Sequence, residues 1–445
     1  MRSLSFLALS ALLFASVSAR ADDGLVAPQR MTLRECVQTA LRQNHDVKTA
    51  TEERNIATAQ RWEVGGQMFP RLHIDAGLQQ WGSSYDIAFG SLGSFRMHDP
   101  FTWTFQATAV QPITALLPLL DEYHVKDLGV DVANIRKEAT QRDVSYRVIE
   151  AYYRLLEAER LSEVAQQSVE QLDAQLKQAN SFHDAGVVGK NDVLRAELAV
   201  ANAKQRQIQI RAQVTLGRSN LASVMGMSPD SPVDAQPLTA DPDGNAGTSL
   251  ERAEQKALSD RVELRELDKR IDQSKAGVRI AWYKLGPQIN LVGSYMHNDQ
   301  VDTGIQFVEK DAGFVGGTIS WDVWDWGSTI SGIHEANAKM REARIARDKM
   351  QDELRLEVRQ AFLNVGTAID AMGVARAAVA SAEENYRLVS KRYAANTATS
   401  FDVVDAESLL TQARGQLQTS IYDFLVAKAA LRRATGDGPD AQQAP

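Results

Sequence analysis

The fold is decided by residues 130–185, which read VDVANIRKEATQRDVSYRVIEAYYRLLEAERLSEVAQQSVEQLDAQLKQANSFHDA. This stretch contains neither glycine nor proline, the two residues least compatible with a helix interior. At 1.5 Å per residue, a helix of this length is roughly 80 Å long. A compact domain has no room for such a helix. The stretch therefore predicts an extended, mainly helical molecule.

Apolar and small side chains in this stretch recur at alternating spacings of three and four, the pattern of helices that pack as coiled coils. The first stripe consists of Val148, Ala151, Leu155, Ala158, Ser162, Ala165, Val169, Leu172, Leu176 and Ala179. A second stripe with the same spacing consists of Val358, Ala361, Val365, Ala368, Met372, Ala375, Val379, Ala382, Tyr386 and Val389. An ordinary intracellular coiled coil is the simplest interpretation of the stripes. It accounts for neither the N-terminus nor the strands described below.

The second stripe belongs to an internal duplication. A shift of 210 residues superposes DVLRAE, at 192–197, on DVVDAE, at 402–407, without a gap. Upstream, Leu33 matches Leu250 at an offset of 217, so the first copy carries seven extra residues between positions 70 and 108. This period is far too long for a solenoid. The chain therefore consists of two copies of one structural unit.

Each copy is predicted to run as a short helix, a β-hairpin, a long helix and a return helix. In the first repeat, residues 22–227, the hairpin is expected at about 70–112, the long helix at about 124–184 and the return helix at about 190–226. In the second repeat, residues 249–436, they are expected at about 287–324, 330–394 and 400–435. Residues 228–248, with four of the twelve prolines, are predicted as a linker, and residues 437–445 as a disordered tail.

The hairpins alternate between apolar and polar side chains. Apolar Phe101, Trp103, Phe105, Ala107 and Ala109 are interleaved with polar Thr102, Thr104, Gln106 and Thr108. Residues 72–79 alternate in the same way, and the second copy does so more weakly around Ile289 and Ile319. Strands of about ten residues with one apolar and one polar face are typical of transmembrane β-barrels. A soluble sheet packed on the helices is the alternative.

The placement of the tryptophans favours a transmembrane barrel over a soluble sheet. Trp81, Trp103, Trp321 and Trp324 lie in the predicted strands or at their ends, as an interfacial aromatic belt requires. Four strands are too few to close a barrel, since the smallest membrane barrels have about eight. The sequence therefore predicts that several copies share one barrel.

The N-terminus predicts export. Residues 1–21 have the form of a signal peptide, with Arg2 before an apolar run and Ala19-Arg20-Ala21 at the cleavage site. Without them the chain carries 47 basic and 57 acidic residues, a charge of about −10, which argues against a nucleic-acid partner. The lone Cys36 cannot form an internal disulfide. No other run of about 18 apolar residues is present, so any membrane span is expected to be β.

Together these features resemble the TolC-like outer-membrane efflux proteins over essentially the whole mature chain. The resemblance rests on Leu33-xxx-Val37-xx-Ala40-Leu41-xx-Asn44, on the segments 185–194 and 393–406, and on the duplication. It implies a homotrimer in the outer membrane, spanning into the periplasm, with a shared twelve-stranded barrel and a twelve-helix tunnel. It also implies three further partners: a periplasmic adaptor (membrane fusion) protein, an inner-membrane transporter and outer-membrane lipid. Two positions depart from the family: His45 replaces a common proline, and Ala398 replaces the gate arginine of some members.

The turns between long and return helices are the expected periplasmic tips of the tunnel. Gly186 and Asn396 correspond at the offset of 210, and these residue types most readily adopt the left-handed conformation that ends a helix. The residues predicted to contact the adaptor are Gly186, Val187, Gly189, Asn396, Thr397 and Ala398. Helix capping is their simpler, local role.

Carboxylates follow each turn. Asp402 and Asp405 lie three residues apart, on one face of the return helix, and Asp192 is the counterpart of Asp402 in the first copy. Stabilisation of a helix N-terminus is one interpretation. The resemblance implies another, in which an oligomer arranges them as negative rings around a periplasmic aperture that favours cations. Tyr393, just before the turn, is a candidate either to narrow that aperture or to pack against a neighbouring helix.

The sequence contains no recognisable enzyme motif, cofactor site or metal site. The seven histidines are scattered, and His334-Glu335 lacks the second histidine of a zinc-protease motif because Ala338 occupies its place. The sequence therefore predicts a non-enzymatic exit duct of a tripartite efflux pump, through which small molecules pass passively. Two alternatives remain open: the exit duct of a type I protein-secretion system, and a periplasmic coiled-coil scaffold without a pore.

Overall fold

The computed structural model describes residues 29–88, 90–98, 100–238, 247–299 and 310–437. The predicted signal peptide, residues 1–21, lies outside this part of the chain, as does the predicted tail beyond Asp437.

The helices of the two repeats follow the same order. Those of the first repeat are α1 (Leu33–Gln43), α2 (His45–Gly66), α3 (Leu116–Asp184) and α4 (Lys190–Val224). Those of the second repeat are α5 (Leu250–Asp260), α6 (Val262–Tyr283), α7 (Ser328–Ala394) and α8 (Ser400–Ala434). Shifted by 217 residues, α1 and α2 superpose on α5 and α6 at both ends. The duplication in the sequence is therefore a duplication of structure.

The short helical segment of each repeat is broken in its middle, at Asn44 in the first copy and at Arg261 in the second. Both residues have an extended backbone, with ψ of 136° and 124° respectively, which interrupts the helical hydrogen bonds. Asn44 also caps α2, because its side-chain oxygen accepts a hydrogen bond from the Asp46 amide at 2.8 Å.

The long helices α3 and α7 contain 69 and 67 residues and are each about 100 Å long. The prediction that the first long helix starts near residue 124 is wrong, since α3 starts at Leu116. Pro118 is the third residue of the helix, where a backbone N–H has no intrahelical partner, so its missing donor costs little there. Gly129 lies inside α3 and does not end it.

Four long strands form one antiparallel sheet in the order β2-β5-β7-β8. They are β2 (Arg71–Gln80), β5 (Phe101–Pro112), β7 (Gln288–Asn298) and β8 (Asp311–Ser320). The central pair, β5 and β7, joins the two repeats, with Ala107 opposite Tyr295. The strand β8 ends at Ser320, so the prediction that the second hairpin continues to residue 324 is wrong.

The register brings the apolar positions of all four strands to one face. Ile74 lies opposite Ala107, Ala107 opposite Tyr295, and Leu291 opposite Gly317. The described residues leave this face uncovered, because its large members are about half exposed or more: Leu72, Ile74, Leu78, Leu291, Tyr295, Val315 and Ile319. The other face is mainly polar, and the Thr108 and Ser294 hydroxyls lie 3.2 Å apart on it.

Two further pairs of strands were not predicted. Between β2 and β5, β3 (Tyr85–Ala88) pairs with β4 (Ser94–His98), with a short 3₁₀ helix, Gly90–Leu92, between them. The strand β1 (Gln29–Met31) pairs in parallel with β6 (Val233–Ala235). The strand β6 lies within residues 228–248, the segment predicted as a linker between the repeats. Its described residues are tied to the start of the first repeat.

The strand β6 is held in place by partly buried polar contacts. The Tyr152 hydroxyl donates to the Gln236 carbonyl at 2.8 Å, and Arg218 bridges Asp234 at 3.2 Å and Glu159 at 3.0 Å. Burial, together with the neighbouring Asp234 carboxyl, raises the pKa of Glu159 to about 7 in spite of Arg218.

The return and long helices pack side by side in the order α4-α3-α8-α7. The predicted stripes face the contacts, since Val148, Leu155, Val358 and Val365 are fully buried. By length and composition alone, one 18-residue window of α7 is apolar enough to cross a membrane, but this is weak support for a span in a 67-residue helix. No uninterrupted apolar run of that length occurs in α7.

Candidate functional site

The two helical turns at the end of the molecule have the same backbone. Gly186 and Asn396 have φ of 75° and 58°, the left-handed conformation that their positions predicted. The Val187 amide donates to the Phe182 carbonyl at 2.8 Å, and the Thr397 amide donates to the Arg392 carbonyl at 2.9 Å, which is the same bond at the offset of 210. Both helices therefore end in the same type of cap.

The tip side chains are mostly exposed. Val187 is 48% exposed, and Gly189 forms the start of α4 in extended conformation. The Thr397 hydroxyl donates to the Arg392 carbonyl at 3.0 Å, and the Arg392 guanidinium lies 3.4 Å from the Thr397 carbonyl. Ala398 carries no charge, and the arginine that contacts this turn is Arg392, on the other side of the bend.

Asp402 is engaged in the cap of α8. Its carboxylate accepts hydrogen bonds from the Thr399 amide and the Thr399 hydroxyl, both at 2.8 Å, while the Asp402 amide donates back to that hydroxyl. This reciprocal capping box satisfies donors that a helix start leaves unpaired. The backbone and hydroxyl hydrogen bonds of Thr399 lower the pKa of Asp402, so the carboxylate stays charged.

The other two carboxylates have different surroundings. Asp405 is exposed and has no ion-pair partner within the described part of the chain, whereas Asp192 is half-buried. The main-chain carbonyl of Asp192 accepts a hydrogen bond from the buried Ser400 hydroxyl at 3.5 Å, which links the two tips. Arg195 lies over the Phe401 ring at 5.5 Å and adds a second link. The links from Ser400 and Arg195 were not predicted.

Tyr393 does not face open space within the chain. It is 2% exposed, and its ring packs against Phe182 at 5.5 Å between centroids. Its hydroxyl is buried without a hydrogen-bond partner among the described residues. Of the two roles predicted for Tyr393, packing against a neighbouring helix is the one that the structure contains.

The tryptophans lie in two groups, one at each end of the sheet. Trp81 and Trp103 lie at the end far from the helices, where the Trp81 indole donates to the Thr102 hydroxyl at 3.1 Å and Trp103 stacks on His297 at 4.3 Å. Trp321 and Trp324 follow β8 at the end near the helices, and the Trp321 indole donates to the Leu285 carbonyl at 3.0 Å. One strand of ten residues, about 33 Å, separates the two groups.

Comparison with known proteins decides the family. The family model described as outer membrane efflux protein matches residues 36–227 and 253–437, which are the two repeats and most of the chain. The chain belongs to the outer membrane efflux protein family. The resemblance to TolC-like proteins is confirmed, and the protein is an outer-membrane protein with that family's fold.

Two relatives within the outer membrane efflux family show how low the sequence identity to this chain is. The outer membrane efflux protein BepC of Brucella suis is 22% identical over 303 residues, 68% of this chain and 65% of its own length. The outer membrane protein TolC of Escherichia coli is 21% identical over 425 residues, 92% of this chain and 83% of its own. The chain thus matches slightly less than two thirds of BepC and most of TolC.

A solved structure supports the fold of this efflux-family member. The CmeC outer membrane channel of Campylobacter jejuni superposes with a TM-score of 0.76 at 16% identity, covering 91% of this chain and 85% of that one. At this identity, the likeness concerns the fold alone. The described residues contain no group of three or more His, Cys, Asp or Glu that could hold a metal ion.

This efflux-family member also has a charge cluster that sequence reasoning missed. Four helices meet at Arg261, whose guanidinium contacts Glu263 at 2.9 Å and Glu357 at 2.9 Å. Arg142 contacts Glu263 at 2.6 Å, and Arg433 reaches Glu357 at 3.4 Å. Although burial raises it, hydrogen bonds from Arg142 and Arg261 lower the pKa of Glu263 to about 2. The cluster ties α3, α6, α7 and α8 together.

Proposed function

We propose that this chain is the exit duct of a tripartite efflux pump, through which small molecules pass passively from the periplasmic side to the exterior. The observation that carries the proposal is a pairing of two features. A sheet whose apolar face is uncovered lies at one end of helices about 100 Å long. The first suits a bilayer, and the second suits a tunnel across the periplasm.

Membrane lipid is the proposed cover of the apolar face. Val315 and Ile319 are 80% and 73% exposed and belong to one apolar face, and a contiguous exposed apolar patch marks an interaction surface such as a membrane contact. The two tryptophan groups, about 33 Å apart along the strands, fit the two interfaces of a bilayer whose apolar core is about 30 Å thick.

The open sheet edges support a trimer. The edge strands are β2 and β8, and each would leave a row of backbone groups unpaired in lipid, at several kcal/mol per group. If β8 of one copy pairs with β2 of the next, three copies give twelve strands, enough for a closed barrel. The outer helices support the same arrangement, because α4 and α7 expose Leu194, Leu216, Leu363 and Val374.

The tips are the proposed aperture. In a trimer, Asp405 and Asp402 would each be repeated three times around the end of the tunnel, and rings of carboxylates favour cations in pores. Asp405 supports this role better than Asp402, since its carboxylate is exposed and is not used in a cap. The exposed Val187 and Thr397 and the half-buried Ala398 are the proposed contact with a periplasmic adaptor, and an inner-membrane transporter would supply the substrate.

Planar-bilayer conductance of the detergent-purified protein tests the proposal, with the particle mass measured in the same preparation. We expect discrete channels from a trimer-sized particle. A monomer without conductance would overturn the duct and leave a periplasmic scaffold. Conductance together with export of a polypeptide, rather than of small molecules, from cells that produce the protein would instead indicate a protein-secretion duct.

A further inference from the structure

Within one chain, the N-terminal half of α3 is joined to α6 by ion pairs. Asp131 lies 2.7 Å from Lys269, and two helical turns further along α3, Glu138 lies 3.2 Å from Arg265. The two helices come from different repeats. The contact is therefore one between a long helix and the short helix of the other repeat.

The duplication provides a second pair of helices of the same kind. The counterpart of α3 is α7, at an offset of 210, and the counterpart of α6 is α2, at an offset of 217. Within the chain, α6 lies between α3 and α7, and α2 packs on α3. If the repeats continue around a ring, α7 of one copy meets α2 of the next copy as α3 meets α6.

The first ion pair is preserved at this contact with its charges exchanged. Asp131 corresponds to Arg341, and Lys269 corresponds to Glu52. Where the chain has an acid on the long helix and a base on the short one, the second contact would have a base on the long helix and an acid on the short one. Both changes are needed to keep the attraction.

The second ion pair is preserved with its charges unchanged. Glu138 corresponds to Asp348, and Arg265 corresponds to Lys48. Arg341 and Asp348 lie seven residues apart on α7, as Asp131 and Glu138 do on α3. The spacing therefore allows both pairs to form at once.

The four charged residues at this second contact have no such ion-pair partner among the described residues. Lys48, Glu52, Arg341 and Asp348 are all exposed, and none forms an ion pair within the described residues. An apolar neighbour shows the same contrast. Ile345 on α7 is 67% exposed, whereas its counterpart on α3, Ile135, is 6% exposed.

We propose that α7 packs against α2 of a second copy of this chain, with Arg341 facing Glu52 of the partner subunit and Asp348 facing Lys48 of the partner subunit. The inference rests on the proposed trimer and adds the faces and residues that join its subunits above the tips. It carries over only part of the α3–α6 contact. Arg136 and Glu266, 3.0 Å apart, correspond to neutral Ala346 and Thr49.

Chemical cross-linking tests the contact on the full-length, detergent-purified protein. The test variant combines Arg341→Cys with Glu52→Cys, and the control variant combines Asp131→Cys with Lys269→Cys. A short bifunctional maleimide is added, and the products are separated on a denaturing gel. The native Cys36 does not compete, because it is fully buried and burial raises the pKa of its thiol to about 12.

We expect the test variant to give covalent dimers and trimers, and the control variant to give only internally linked monomer. Trimer-sized, conducting protein whose test variant gives only monomer, while the control variant cross-links, would overturn this contact and leave the duct intact. A monomeric, non-conducting protein would overturn both.

Charge reversal provides a measurement that does not need cysteines. Arg341→Glu alone and Glu52→Arg alone should each lower the fraction of trimer severalfold on dilution in detergent, and the two together should restore it. Equal loss in all three variants would contradict the pairing.

Discussion

Asn44 and Arg261 occupy the same place in the two repeats and form the same bond. The Asn44 side-chain amide donates to the Val224 carbonyl at 2.7 Å, and the Arg261 guanidinium donates to the Ala434 carbonyl at 3.0 Å. Each bond joins the break in a short helical segment to the last turn of its return helix. The longer arginine also bridges the carboxylates of Glu263 and Glu357.

Arg261→Ala should therefore destabilise the protein strongly. It removes a buried cation that bridges Glu263 and Glu357, leaves them with only Arg142 and Arg433 respectively, and leaves the Ala434 carbonyl without this donor. We expect a loss of about 3 kcal/mol, in the range for one broken partner of a buried ion pair. The measurement is chemical denaturation in detergent, followed by circular dichroism.

The first repeat supplies the control for that variant. At the position equivalent to Glu357 it has Arg147, which pairs with Asp46 at an exposed site. Arg147→Ala should cost less than about 1 kcal/mol. Equal losses in the two variants would contradict a special role for Arg261.

Glu159→Gln should stabilise the protein at alkaline pH. The pKa of Glu159 is raised from 4.5 to about 7 in the folded protein, so the folded state favours the protonated form. Stability from this group is fully present below pH 4.5 and is lost as the pH rises through 7. Glutamine mimics the protonated form, so we expect a gain of about 1–3 kcal/mol at pH 8 and almost none at pH 4. A gain that is the same at both pH values would contradict the assignment.

Gly226→Ala should disrupt the junction at Asn44. Gly226 has a φ of 81°, and an added Cβ would lie 2.6 Å from the Gln43 carbonyl oxygen and 2.7 Å from the Asn44 backbone. Because backbone atoms must move, we expect a loss of about 3 kcal/mol or more. Gly186→Ala is the matched control: its φ is 75°, but no atom of the described residues lies within 4 Å of the added Cβ, so only the backbone strain of about 1 kcal/mol applies.

Asp405→Asn should lower the cation preference of the channel without changing its thermal stability. Its carboxylate is exposed and unpaired among the described residues, so only the field at the aperture changes. Asp402→Asn should lower both, because the Asp402 carboxylate also caps α8. Reversal potentials in a salt gradient and melting curves separate the two effects. Unchanged ion preference in both variants would contradict the proposed ring.

Much of the fold could be predicted because its signals are local or repeated. The absence of glycine and proline in residues 130–185 and the stripe through Val148 and Leu155 set the long helix, and the alternation around Trp103 set the faces of the sheet. The left-handed turn at Asn396 was predicted because its counterpart is a glycine.

The charge cluster was missed because its members are far apart in the chain: Arg142, Glu357 and Arg433 lie in three different helices, and Arg261 lies at the break between α5 and α6. One signal was present in the sequence. The second repeat has Arg261 where the first has Asn44, and it has Glu357 where the first has Arg147. The second repeat therefore gains a cation at one position and loses a cation at the other. The strand β6 was missed because three residues in a proline-rich segment carry no usable periodicity.

The pairing of β1 with β6 constrains the order in which contacts form during folding. Gln29 pairs with Val233, so one of the first residues described must wait for one about 200 positions later before its backbone has a partner. Contacts so distant in sequence form late, because the intervening chain must first be brought together. During export and folding, the β1–β6 pair can form only after the whole first repeat is present. A chain that stops short of residue 233 would keep its leading strand unpaired, and thus open to capture by another molecule.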